Sequence, residues 1–206
     1  MTPLWAELAG IIAAALSTSS GLTQLRHLVR ARTALGVATG TWLLTTMSTV
    51  TWFGYAISVR SPIQEVANGS WMFLVIALTW MMLRHRGSMM AMLGIVAVFA
   101  SLAVFTALGA ISPEIPGTCG IVASLLMSLP QIRYAIRHGR GPGVSVMGWA
   151  LSGFAAVMWF VYGIGTRQIP VFINTGIQTV LLFGVVAALL NNPTHSSSHQ
   201  QQDAMA

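Results

Sequence analysis

Side chains able to do acid–base, nucleophilic or metal chemistry are few in this chain and widely scattered. The only carboxylates are Glu7, Glu65, Glu114 and Asp203. The single Cys119 cannot form an intrachain disulfide and reads as a small packing residue in a hydrophobic run, which excludes redox chemistry and a Cys-built metal site. His27, His85 and His138 accompany arginines and read as interface residues. His195 and His199 stand four apart in a polar tail, where metal binding is not the favoured reading. No Ser–His pair, paired carboxylates or His–His–Glu set can be assembled, so no enzyme, metal or cofactor is expected. What remains is neutral chemistry: indoles, phenols, carboxamides and hydroxyls that can stack on and hydrogen-bond an uncharged solute.

Those groups sit in an unusually apolar background. Of the 206 residues, 55% are hydrophobic and only 7% charged, against roughly a quarter charged in soluble domains. The ten basic residues are all Arg, too sparse and dispersed for a nucleic-acid surface. A spanning helix needs about 20 mostly apolar residues, and seven runs qualify: 4–25, 36–58, 66–83, 88–112, 117–132 (extending, more polar, to about 138), 143–165 and 169–190. The first Arg, Arg26, follows the first run, which is therefore expected to remain as a span. The lipid bilayer is thus the expected surrounding, in an all-α polytopic membrane protein with seven transmembrane helices.

Arginine placement orients it. Arg26, Arg30, Arg32, Arg84, Arg86, Arg133, Arg137 and Arg140 follow the odd-numbered spans one, three and five, whereas only Arg60 and Arg167 follow spans two and six. The N-terminus is therefore expected outside and the C-terminus in the cytoplasm, at a cell membrane. The Ser-, His- and Gln-rich tail, 192–206, is expected to be disordered.

A shift of 107 residues aligns the chain with itself. Gly10 falls on Gly117, Ser17 on Ser124, Leu22 on Leu129, Gln24 on Gln131, Arg26 on Arg133 and Arg30 on Arg137. Without a gap, Gly36-Val37 then falls on Gly143-Val144, Trp42 on Trp149, Leu44 on Leu151, Trp52-Phe53 on Trp159-Phe160, Tyr55 on Tyr162, Ile57 on Ile164 and Arg60 on Arg167. The chain is an internal duplication. Each copy has three spans, so two joined directly would face opposite ways, yet the arginines have them facing the same way. Span four, 88–112, has no ionisable residue, matches neither copy, and supplies the extra crossing. The expected layout is 3+1+3 with parallel repeats: a first three-helix bundle (1–87), a linker helix (88–112) and a second bundle (113–191).

Two motifs stand within this duplication: Leu129-Pro130-Gln131, and Trp159-Phe160-Val161-Tyr162-Gly163-Ile164 followed by Pro170 and Asn174. The first resembles the PQ-loop signature and the second the second and third helices of the SWEET and SemiSWEET sugar transporters. The likeness covers about 10–83 and 117–190. It implies a substrate pocket at Trp52, Asn68 and Trp159, with Asn174 or Thr175 in the second copy. Thr175 stands where the spacing from Trp159 matches Asn68, and Asn174 one residue earlier, about 100° around the helix; Asn174 is favoured. The copies also differ where Thr23 stands opposite Pro130, so a gating kink is expected to be asymmetric.

In such a pocket Asn follows a polyol whose hydroxyls donate or accept, and the Trp face packs on the C–H face of a sugar ring, without a costly intramembrane charge. Trp42 and Trp149 read as interface anchors near the cytoplasmic ends of their spans. Tyr55 and Tyr162 either close the external side or are interface aromatics. Arg60 and Glu65 lie close enough to pair at the external mouth, as a gate or as a solvated loop pair. Gln24 and Gln131 either bond across the pore when it closes inward or pack helices. The expected function is facilitative, alternating-access transport of sugars, uncoupled because no Asp, Glu or His lies mid-span, with homo-oligomerisation left open. The alternatives are a PQ-loop amino-acid carrier of the cystinosin type, which generally relies on intramembrane acids, and a non-transporting seven-helix receptor.

Overall fold

The computed structural model describes residues 2–31, 39–84, 87–138 and 146–191. Among these residues the chain is all-helical, with seven helices: α1 (Leu4–Ala31), α2 (Thr39–Ser58), α3 (Pro62–Leu83), α4 (Ser88–Ile111), α5 (Glu114–His138), α6 (Val146–Thr166) and α7 (Ile169–Asn191). They follow the seven apolar runs, with α1 continuing past its run to Ala31. The tail 192–206 lies outside the described residues.

By length and composition, α4, α6 and α7 are long and apolar enough to cross a bilayer. The other helices carry more hydroxyls and amides. In α2 these hydroxyls are largely satisfied locally: Thr46, Thr49 and Thr51 donate to the carbonyls of Trp42, Thr45 and Met47 one turn back. Large apolar side chains stand on the outside, with Phe73 77%, Ile111 78% and Val180 72% exposed. Such a surface is compatible with a membrane protein.

The turns that end α2 and α6 are built alike. Arg60 N–H bonds Ile57 O and Ser61 N–H bonds Ala56 O; one repeat length later, Arg167 N–H bonds Ile164 O and Gln168 N–H bonds Gly163 O. This is the Schellman pattern, whose left-handed position usually holds Gly. Here Arg60 (φ 52°) and Arg167 (φ 56°) occupy it. Pro62, whose missing N–H costs nothing in a first turn, then opens α3.

Helix pairing joins the two ends of the chain. The most extensive contacts are α1 with α6, α6 with α7 and α2 with α5; α3 packs on α1 and α2, and α7 on α5 as well as α6. Since the 107-residue shift carries α1, α2 and α3 onto α5, α6 and α7, the pairing α1–α6 is carried onto α5–α2. Helix α4 lies mainly against α2 and α3. A Cβ on Gly54 would stand 2.9 Å from the Phe105 backbone, and one on Gly109 2.9 Å from the Ser58 side chain. Two glycines therefore let α2 and α4 meet backbone to backbone.

Candidate functional site

Each half sends an indole to a serine of the other. Trp52 on α2 donates from Nε1 to Ser124 Oγ on α5 (2.9 Å), and Trp159 on α6 donates to Ser17 Oγ on α1 (3.3 Å). Both the tryptophans and the serines are repeat mates. The tyrosine one turn on meets each indole edge to face, at 5.5 Å for Trp52–Tyr55 and 5.3 Å for Trp159–Tyr162. Hydrogen bond and ring contact hold each indole in one orientation.

These indoles border a cavity of about 280 Å³ between the two sets of helices. All five residues expected in a substrate pocket, Trp52, Asn68, Trp159, Asn174 and Thr175, line it. Asn174 and Thr175 both reach it, but their polar atoms stand differently. Thr175 Oγ1 is spent on Val171 O (2.7 Å), one turn back in its own helix. Asn174 is 6% exposed, and its Oδ1 is buried with no hydrogen-bond partner. Asn68 donates from Nδ2 to Gln64 O (2.9 Å). A buried, unpaired carbonyl is costly unless a bound molecule supplies a donor.

Among the described residues, those lining the cavity include no Asp, Glu, His, Lys or Arg. Its polar atoms come from hydroxyls, carboxamides and indole N–H groups: a surface that can take up a neutral solute rich in donors and acceptors and offers an ion no counter-charge. Glu114, at the exposed start of α5, is held below the ordinary carboxylate range by the Ser112 hydroxyl (2.5 Å).

Near the α2–α3 and α6–α7 turns the two halves are stitched together. Tyr162 OH and Ser61 Oγ share a hydrogen bond (2.8 Å), and at the mated position Tyr55 OH donates to Gln168 Oε1 (3.4 Å), which also accepts from Gln64 Nε2 (2.6 Å). Each ring lies on a mated glycine: a Cβ on Gly10 would come within 2.7 Å of Tyr162, and one on Gly117 within 3.3 Å of Tyr55. Both tyrosines are buried, at 3% and 4% exposure. They lie in the hydrophobic cluster with Ala9 and Val171, against which Trp52 and Trp159 pack.

Ser61, Gln64 and Gln168 were not singled out by sequence reasoning, although Ser61-Pro62-Ile63-Gln64 has the S-x-x-Q spacing of a capping box. The box is not made. Ser61 has extended N-cap geometry (φ −101°, ψ 97°) but no side-chain cap bond, because its hydroxyl and the Gln64 amide both reach the opposite half.

The remaining expected gating residues stand apart from this cluster. Among the described residues no ion pair joins Arg60 to Glu65; Arg60 is exposed at its turn and Glu65 lies in the first turn of α3. Gln24 and Gln131 fall within α1 and α5, but their side chains lie outside the described ones. Pro130 is inside α5, where it leaves the carbonyl of Leu126 without its helical donor, whereas Thr23 adds a donor to the mated carbonyl of Ser19 (2.7 Å). Trp42 and Trp149, read as interface anchors, line the cavity, as do Trp71 and Gln178. Gln178 donates to Ser124 O. A scan against protein-family models, a search of curated proteins and a search of solved structures return no match.

Proposed function

We propose that this chain is a facilitative sugar carrier of the SWEET type, embedded in a cell membrane with its N-terminus outside, in which two parallel three-helix bundles and the linker α4 alternate access to a central neutral pocket. The observation that carries the reading is the uncharged cavity, lined from both repeats by Trp52, Trp159, Asn68 and Asn174. Supporting the 3+1+3 arrangement is the way the 107-residue shift carries the α1–α6 pairing onto α5–α2. A sugar ring stacks between indoles, and its hydroxyls replace the missing partner of Asn174 Oδ1.

In this reading the conformation described is closed at its external end. Opening there separates Tyr162 from Ser61, and Gln168 from both Tyr55 and Gln64. The freed Ser61 hydroxyl can then act as the N-cap of α3, accepting from a backbone N–H of the first turn. The bonds lost across the gate are partly replaced within the helix, so the two conformations stay close in free energy, as a reversible carrier requires. With no titratable side chain among the described residues of the pocket, transport runs down the solute gradient.

The test is counterflow of radiolabelled glucose and sucrose in proteoliposomes, comparing wild type with Asn68→Ala and Trp159→Ala. Removing a stacking face or a two-way hydrogen-bonding group is expected to slow exchange by about tenfold or more. Unchanged exchange in both variants removes the pocket assignment.

A further inference from the structure

The cavity is longer than one sugar ring needs. Its lining on α2 runs from Trp42 to Trp52 and on α6 from Gly148 to Trp159, which at a helical rise of about 1.5 Å per residue is on the order of 15 Å. An indole from each half stands at either end, Trp52 and Trp159 toward the tyrosine cluster, Trp42 and Trp149 toward the opposite end. Between them lie hydroxyls paired across the halves, Ser48 with Ser124 (2.6 Å) and Ser20 with Ser152 (2.5 Å).

The two ends also hold complementary unmet groups. Trp42 Nε1 is a buried donor with no partner, and Asn174 Oδ1 a buried acceptor with no partner. An interface anchor would place its N–H at the polar boundary, where water or headgroups satisfy it. Trp42 instead borders the cavity, and Trp149 packs against Val185 and Leu189 of α7, a firm backing for a ring surface.

Resting on the carrier reading above, we propose that the cavity holds two sugar rings in file, the outer at Trp52 and Trp159 and the inner at Trp42 and Trp149, so that the preferred solute is a neutral disaccharide. The inner ring accepts a hydrogen bond from Trp42 Nε1, the outer ring donates to Asn174 Oδ1, and the serine tier meets the glycosidic linkage. A monosaccharide occupies one aromatic pair at a time.

The experiment is counterflow of labelled maltose and glucose in proteoliposomes by wild type, Trp42→Ala, Trp149→Ala and Trp42→Phe. Loss of a stacking face together with a hydrogen bond is expected to lower the maltose-to-glucose exchange ratio about tenfold in Trp42→Ala. Trp149→Ala lowers the ratio in the same direction. Trp42→Phe keeps a ring but loses the donor and lowers it by about threefold. An unchanged ratio in the alanine variants, or Trp42→Phe matching wild type, overturns the inner subsite. Wild-type exchange of glucose without maltose overturns the subsite and leaves the carrier reading standing. Exchange of neither sugar overturns both.

Discussion

The two halves agree in their cavity indoles and the contacts that hold them, and differ along the walls that α3 and α7 give the cavity. The mated pairs Trp52 and Trp159, Ser124 and Ser17, Tyr55 and Tyr162, Gly117 and Gly10 repeat the same cross-half contacts, and the turns at Arg60 and Arg167 repeat the same backbone pattern. On the α3 and α7 walls of the pocket the mates diverge: Ala67 against Asn174, Asn68 against Thr175, Trp71 against Gln178. Contacts across a two-fold relation constrain both copies together, because each side chain must fit its mate's surroundings. A wall position that no mated contact ties is free to differ, and an asymmetric solute is better met by unlike walls.

The sharpest break in the comparison is Asn174→Ala, which makes the second copy resemble the first at Ala67. Exchange of sugars is expected to fall about tenfold, while the thermal midpoint of the empty protein in detergent stays level or rises because a buried unpaired carbonyl is gone. A lowered midpoint would mean that Asn174 holds the fold rather than the solute.

Next in size is Gly10→Ala against Gly117→Ala. At 2.7 Å from the Tyr162 ring the first forces a shift, at an expected cost of about 1–3 kcal/mol; at 3.3 Å from Tyr55 the second costs less. Thermal melts of the two variants side by side give the order, and equal midpoints would contradict the difference in fit.

The tyrosines offer a finer comparison. Tyr162→Phe removes a 2.8 Å bond and frees Ser61 to cap α3, so it is expected to favour external opening by about 1 kcal/mol, or roughly fivefold. Tyr55→Phe removes only a 3.4 Å bond from a glutamine that keeps its Gln64 donor, and should shift the gate less. Thiol labelling of a cysteine introduced at Asn68, with Cys119 replaced by Ser, reports the opening; equal labelling in both variants would dissolve the distinction.

Arg60→Gly and Arg167→Gly should each stabilise by about 1 kcal/mol, since Gly takes the left-handed position without steric cost. Unequal gains would show that one guanidinium has a role its mate lacks. The smallest expected effect is that of pH: with no titratable group among the described residues lining the cavity, exchange should stay flat from about pH 5.5 to 8, and a protonophore should leave it unchanged. Collapse on adding the protonophore would count against uncoupled transport.

Much of this was legible in the chain itself. Seven apolar runs foretold seven helices because burying a backbone in an apolar setting forces it to bond within its own segment. The self-alignment at 107 residues picked out Trp52, Trp159, Tyr55 and Tyr162 before any contact was known. The cross-half partners were not legible. Ser61 and Gln64 have capping-box spacing, and nothing local says that their side chains leave the helix end for Tyr162 and Gln168. Trp42 and Trp149 sit at sequence positions typical of interface anchors, and only the packing of α2 and α6 turns them toward the cavity. Arg60 and Glu65, five residues apart, look able to pair, but among the described residues no ion pair joins them.

The sequence by itself determined the helices, their duplication and the uncharged character of whatever they enclose, because hydropathy and residue identity act over a few turns of chain. Tertiary structure decided that α1 meets α6 and α2 meets α5, which carbonyl of the second half is left without a donor, and that a serine placed to cap a helix instead bonds a tyrosine more than a hundred residues away. Those outcomes depend on the relative placement of whole helices, and side-chain hydrogen bonds go to whichever partner that placement brings within reach.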